Sequence, residues 1–168
     1  MPVEMGEHSY GEAIRISPYD GLVVLGKFCS IASGVNALFL RDHHTDWITT
    51  YPFHIKWGLD VPKQEVIPGK IKIENDVWIG TGVTLMGGCS IGSGCVIGAF
   101  SVVAGRIPPY SIAVGNPCRI IRKRFSDEQI SSLLKIKWWD WPEEKIRKYA
   151  HLLSDCDIER FLNEISSD

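Results

Sequence analysis

Three of the chain's five histidines, His43, His44 and His54, fall inside one stretch, RDHHTDWITTYPFHIKWG, residues 41–58. An imidazole with its ordinary pKa of about 6.5 accepts and returns a proton at neutral pH. It can therefore act as the general base that turns a weak nucleophile such as a hydroxyl into a competent one. Taken alone, a histidine pair reads equally as two solvated loop residues. A shared metal ion is disfavoured because adjacent side chains do not easily converge on one ion. Asp46 either orients a histidine or stabilises the segment. A second group with chemical reach is the basic run PCRIIRKRF, residues 117–125. Guanidinium groups such as those of Arg119 and Arg122 bind phosphate through two parallel hydrogen bonds; the plain alternative is a solvated basic tail. The five cysteines form no CxxC pair, which argues against a zinc or redox site, and an odd number suits no disulfide framework.

These groups need a scaffold. The 168 residues suffice for one domain with a substantial core, and a formal net charge of −2 argues against a general nucleic-acid binder. No apolar run reaches about 18 residues and the N-terminus lacks a signal-peptide apolar region, so a soluble, cytoplasmic protein is expected.

The dominant pattern has a period of six. LGKFCS, IASGVN, IENDVW, IGTGVT, LMGGCS, IGSGCV, IGAFSV and VAGRIP begin at residues 25, 31, 73, 79, 85, 91, 97 and 103, each with Ile, Leu or Val first. Amphipathic helices repeat at three and four, and half-buried strands at two, so six requires a short strand plus a turn. Hexapeptides of this kind mark a parallel β-helix, in which stacked coils place first-position residues in interior columns. Glycines at second positions are expected to permit the corner bends. Fifth positions hold Cys29, Val35, Val77, Val83, Cys89, Cys95, Ser101 and Ile107. Three of the cysteines there read as small buried hydrophobes rather than nucleophiles.

Between Ala37 and Ile73 the repeat lapses and then resumes in phase. Long irregular segments in compact domains tend to carry function. Trp47, Tyr51, Phe53 and Trp57 make this one too ring-rich to bury its own surface, so its ordering calls for a neighbour.

The hexapeptide array, HHTDWITTYPF, DVWIG, PPYSIAVGNPCRIIRKRF and LLKIKWWDWP together resemble the xenobiotic acetyltransferases, over about residues 20–145. The resemblance implies an all-β fold, a left-handed parallel β-helix of triangular section, with an inserted active-site loop at about 38–66 and β-helix to residue 124. It also implies a homotrimer. The family's HRxDW-like stretch places the catalytic base at His43, three residues before Asp46, with His44 as the alternative. Acetyl-CoA is the implied co-substrate, with no metal. Coenzyme A contacts carry over to Thr81, Ala99, Ala104, Gly105, Arg119 and Arg122. The sequence departs from the family at position 105, where many relatives have lysine and Arg106 offers the charge one residue later. Asp46, Tyr51, His54 and Trp78 are the implied acceptor-side residues. His54 reads equally as loop packing, and Trp78 as a packing residue on a coil edge.

After residue 124 the pattern becomes helical. Ser126 and Gln129 form a capping-box signature, Pro142 opens a second segment and SDCDIERFLNEI suggests a third. Residues 125–168 are expected to cap the solenoid, with Trp138, Trp139 and Trp141 as packing anchors and Cys156 structural. The implied activity is acetyl transfer to a hydroxyl of a saccharide or antibiotic-like acceptor, with few residues before the first coil favouring a saccharide. Amino-sugar N-acetylation and a non-catalytic scaffold are the alternatives. A β-helix carbonic anhydrase is disfavoured by the histidine spacing.

Overall fold

A computed structural model of the chain describes residues 3–16, 21–39, 43–62 and 69–166. Its strands recur every third element. One sheet contains β1 (Val3–Met5), β4 (Gly21–Leu25), β7 (Gly69–Ile73), β10 (Ser90–Ile91) and β13 (Arg106–Ile107). The second contains β2 (Tyr10–Gly11), β5 (Ser30–Ile31), β8 (Trp78–Ile79), β11 (Val96–Ile97), β14 (Ser111–Val114) and β15 (Arg119–Lys123). The third contains β3 (Arg15–Ile16), β6 (Asn36–Leu38), β9 (Thr84–Met86) and β12 (Val102–Val103). Among the described residues every strand pairing is parallel except β14 with β15. Parallel sheets visited in rotation fit the left-handed β-helix implied by the resemblance.

The register explains the period. Ile91 pairs with Ile73, 18 residues earlier, so three hexapeptides make one coil. First-position residues consequently stack on themselves. Leu25, Ile73, Ile91 and Ile107 form one column, and Ile31, Ile79, Ile97 and Ala113 another. All are buried, as are the fifth-position residues Cys29, Val35, Val77, Val83, Cys89, Cys95 and Ser101. Burying each such aliphatic side chain contributes about 1.5–3 kcal/mol.

Two expectations change. Ile107 does not occupy a fifth position. It pairs with Ile91, 16 residues earlier, because the turn through Ala104 and Gly105 is two residues shorter than a full hexapeptide. The second-position glycines do not supply the bend either. Left-handed backbone falls instead on the fourth position of all seven complete units: Phe28, Gly34, Asp76, Gly82, Gly88, Gly94 and Phe100. The second positions need glycine for proximity. A Cβ on Gly80 would lie 2.7 Å from the Ala99 amide nitrogen, and one on Gly92 would lie 2.6 Å from Pro109 N.

The excursion is measured by the same register. β4 pairs with β7 at a separation of 48 residues, thirty more than a coil requires. It leaves after Leu38 and returns at Gly69, across the corner between the third sheet and the first. Its regular element is the four-residue α1, Phe53–Lys56. No described residue from 43 to 62 is buried.

Beyond β15, α2 (Asp127–Ile136) starts at Ser126, whose hydroxyl accepts from the Gln129 amide at 3.2 Å while the Gln129 side chain accepts from Ser126 N at 3.0 Å. A 3-10 turn, Trp138–Asp140, leads to α3 (Glu143–Leu153) and α4 (Ile158–Ser166). Tyr110 of the coils and Ile130, Leu133, Trp139, Tyr149, Leu152 and Phe161 of this C-terminal part make a second core. Trp138 and Trp141 pack against it. Cys156, expected to be structural, is exposed at the α3–α4 connection. No helix among the described residues is long and apolar enough to cross a membrane.

Candidate active site

The two adjacent histidines have different surroundings. His43 is exposed, and its Nδ1 makes a short hydrogen bond to the Thr50 carbonyl oxygen. A carbonyl can only accept, so Nδ1 carries the hydrogen; a neutral His43 then presents a bare lone pair on Nε2. His44 instead stacks on Trp47, ring centroids 4.1 Å apart and ring planes nearly parallel, with its Nδ1 3.4 Å from Asp46 Oδ1. Asp46 thus faces His44. Tyr51, Phe53 and Trp57 form an edge-to-face trio with centroids 4.9, 5.0 and 6.4 Å apart. His54 lies in α1, half-buried, beside that trio in sequence. Ile48, Ile55, Trp57 and Leu59 remain exposed, an apolar surface that the excursion does not cover itself.

The residues assigned to coenzyme A fall in three places. Thr81 and Ala99 stack at the corner between the second and third sheets, where the Phe100 amide donates to the Thr81 carbonyl at 2.8 Å. Ala104 and Gly105 lie at the corner between the third and first sheets, the corner from which the histidine-bearing excursion leaves one coil beyond the neighbouring Gly87–Gly88 turn. Both are exposed, and a side chain placed on Gly105 would meet nothing within 4 Å. Arg119 and Arg122 lie on β15, exposed along its length. Each spends one Nη1 hydrogen on a neighbouring backbone carbonyl, at 3.0 and 3.2 Å, and keeps further donors free for an anion. Arg106 is exposed at the start of β13.

Trp78 stands on the outer face of the second sheet. Cross-strand pairing sets Arg122, Ile112, Val96, Trp78 and Ser30 in one row. Trp78 and Arg122 are therefore three strand spacings apart, about 14 Å at the usual 4.8 Å. The indole is exposed over a depression also lined by Phe28, Ser30, Asp76, Val96 and Arg124. Within one chain, then, Trp78 lies on the second sheet and Thr81 at its corner with the third, whereas the excursion that carries His43 leaves at the corner between the third sheet and the first.

Asp76 and Arg124 were not singled out by motif. Asp76 occupies a left-handed fourth position with φ 55°. Its carboxylate lies 3.6 Å from Arg124 Nη1, which also donates to Gly94 O at 2.7 Å. Burial raises the Asp76 carboxyl to about 6 against the opposing pull of the Arg124 charge and hydrogen bond. The available signal was an acidic side chain in a slot that four sister units give to glycine.

The described residues contain no group of three metal-binding side chains. Residues 70–105 match the family model described as bacterial transferase hexapeptide (six repeats). The chain is 45% identical over 151 residues to a probable macrolide acetyltransferase of Lysinibacillus sphaericus, spanning 86% of this chain and 84% of that protein. The chain belongs to the xenobiotic acetyltransferase family. A second member, a chloramphenicol acetyltransferase of Agrobacterium fabrum, is 38% identical over 162 residues, 90% of this chain and 77% of its own. The fold is shared more widely. The N-acyltransferase AntD of Bacillus cereus, solved with dTDP and 3-hydroxybutyryl-CoA, superposes with a TM-score of 0.51 at 19% identity over 80% of each chain. As a member of the xenobiotic acetyltransferases, this protein is an acyltransferase.

Proposed function

We propose that this xenobiotic acetyltransferase is an O-acetyltransferase using acetyl-CoA, with His43 as general base in a cleft shared between subunits of a left-handed β-helical homotrimer. The carrying observation is the hydrogen bond from His43 Nδ1 to the Thr50 carbonyl, which leaves Nε2 able to take a proton. In the reaction, Nε2 accepts the acceptor's hydroxyl proton as that oxygen bonds to the thioester carbonyl carbon. When the carbon–sulfur bond breaks, the imidazolium returns the proton to the departing thiolate. Ala99, Ala104 and Gly105 offer little side-chain bulk at exposed corners, which suits a pantetheine chain lying along the backbone. Thr81 adds a hydroxyl at the same corner as Ala99, while Arg119 and Arg122 supply cationic partners for phosphates. Asp46, Tyr51, His54 and Trp78 are assigned to the acceptor side. Two observations support a site completed by a second chain: the exposed apolar surface of the excursion, and the separation of Trp78 and Thr81 from the corner that launches His43. Relatives named for a macrolide and for chloramphenicol favour the antibiotic-like acceptor over a free saccharide.

His43→Ala is expected to lower turnover by about 10²–10⁴-fold on hydroxyl acceptors. His44→Ala should cost far less, and coenzyme A titration should be unchanged in both variants. Equal turnover of His43→Ala and the unmodified protein would refute the assignment. A smaller loss on amine acceptors, which need less help from a base, would point to N-acetylation.

A further inference from the structure

Six residues other than glycine hold left-handed backbone among the described residues: His8, Phe28, Asp76, Phe100, Tyr110 and Lys137. For a bulky side chain that conformation is unfavourable, and it persists where something else compensates. Five of the six are compensated within the chain. His8 stacks on Phe28 and Phe28 packs on Trp138, with ring centroids 4.7 and 4.8 Å apart. Asp76 pairs with Arg124, and Tyr110 is buried in the second core. Lys137 ends α2 as a left-handed C-cap. The first four of these lie on the coil edge between the first and second sheets, against which the C-terminal part packs.

Phe100 has no such compensation. It stands at the corner between the second and third sheets and is 73% exposed, in a slot that four sister units give to glycine. One face of its ring lies on Gly82, where an added Cβ would come within 2.6 Å of Cδ1 and Cε1. The remainder is open to solvent. Its neighbours are residues assigned to coenzyme A. Ala99 precedes it, and its own amide donates to the Thr81 carbonyl at 2.8 Å. Arg119 stands further along the same corner, because it pairs with Val114, which packs on Gly98. The order along the coils is β15 with Arg119, then β14, then β11 leading to Phe100, then β8 leading to Thr81. Next comes the coil of β5 and β6, from which the histidine-bearing excursion leaves. Two strand spacings, about 10 Å, separate the levels of Arg119 and Phe100. A coenzyme whose phosphates meet Arg119 and whose thioester reaches the level of the excursion therefore passes Phe100 with its pantetheine arm.

We infer that Phe100 is a further binding residue for the acyl donor, its open ring face carrying the methyl and methylene groups of the pantetheine arm. The inference rests on the coenzyme groove proposed above, and adds an apolar surface to a site whose other assigned residues offer little of one. Covering one ring face removes about 50 Å² of apolar surface from water, which corresponds to about tenfold in affinity.

Calorimetric titration of the full chain with coenzyme A tests this, with Phe100→Gly, Phe100→Tyr and Arg119→Ala beside the unmodified protein. Phe100→Gly should bind coenzyme A about tenfold more weakly. It should nevertheless melt no lower than the unmodified protein, because glycine takes left-handed backbone freely. Phe100→Tyr, which restores the ring, should bind as the unmodified protein does. Adenosine 3′,5′-bisphosphate keeps the base and phosphates without the arm, and should bind Phe100→Gly and the unmodified protein equally. Normal coenzyme A binding by Phe100→Gly, with weakened binding by Arg119→Ala, would overturn the inference and leave the groove standing. Unchanged affinity in Arg119→Ala would remove the groove, and the inference with it. An equal loss on the bisphosphate would overturn the assignment to the arm. A lower melting temperature or a changed subunit number in Phe100→Gly would make the ring a packing or interface residue instead.

Discussion

Asp76→Asn should abolish a specific pH dependence of stability. An Asp76 carboxyl raised by burial from 3.8 to about 6 binds its proton more tightly in the folded chain than in the unfolded one. Well below pH 3.8 both states are protonated and the group is neutral in the balance. As pH rises from 3.8 the unfolded chain gives up this proton more readily than the folded one, and stability is lost until the folded carboxylate ionises near 6. About two pH units at 1.36 kcal/mol each set a ceiling near 3 kcal/mol. With 31% of the side chain open to solvent, roughly half of that is expected. Asparagine keeps the size and tolerates the left-handed backbone at φ 55°, so the substitution isolates the charge. Urea denaturation at fixed protein concentration, from pH 4.5 to 7.5, gives the free energies by linear extrapolation. Relative to Asp76→Asn, the unmodified protein should lose about 1 kcal/mol across that interval, a third of the total change falling below pH 4.5. Glu74, whose pKa is lowered by its Lys72 and Ser93 partners despite opposing burial, loses stability towards acid in both proteins and cancels in the difference. A flat difference, or one in which the unmodified protein gains with rising pH, would mean that the Arg124 charge outweighs desolvation, contrary to the reasoning.

Gly80→Ala should cost about 1–3 kcal/mol in thermal or urea melts, because its Cβ would press on the Ala99 backbone rather than on a yielding side chain; an unchanged melt would refute the close-approach account of second positions. In thiol titration with Ellman's reagent at pH 8, Cys156 should react quickly and the other four cysteines after denaturation. Burial pushes Cys89 up to about 12 and Cys95 to about 11, and all but Cys156 are buried. Rapid labelling of two or more thiols in the folded protein would contradict that burial.

Much of the scaffold was legible because a β-helix is written one coil at a time. Each rung repeats the same local problem, an inward aliphatic, a tight corner and a small buried residue, so Ile73, Ile79, Leu85, Ile91 and Ile97 announce their columns directly. The shortened turn at Ala104–Gly105 escaped that reading because Val103 and Ile107 still look regular by type; the pairing of Ile107 with Ile91 reveals the two missing residues. The second-position glycines were recognised as necessary but for the wrong reason. Composition cannot distinguish a position that needs positive φ from one that needs room for the neighbouring coil.

The sequence by itself determined the period, the interruption, the helix start at Ser126 and a family whose pattern singles out His43. These are local or repeated features, encoded within a few residues of where they act. The tertiary structure decided that Asp46 faces His44 while Thr50 holds His43, and that Asp76, Tyr110 and Arg124 meet beneath the C-terminal helices. Those contacts join positions as far apart in the chain as 76 and 124. Their burial and hydrogen bonding come from how coils and cap pack, and packing between distant segments leaves no periodic trace in the order of residues.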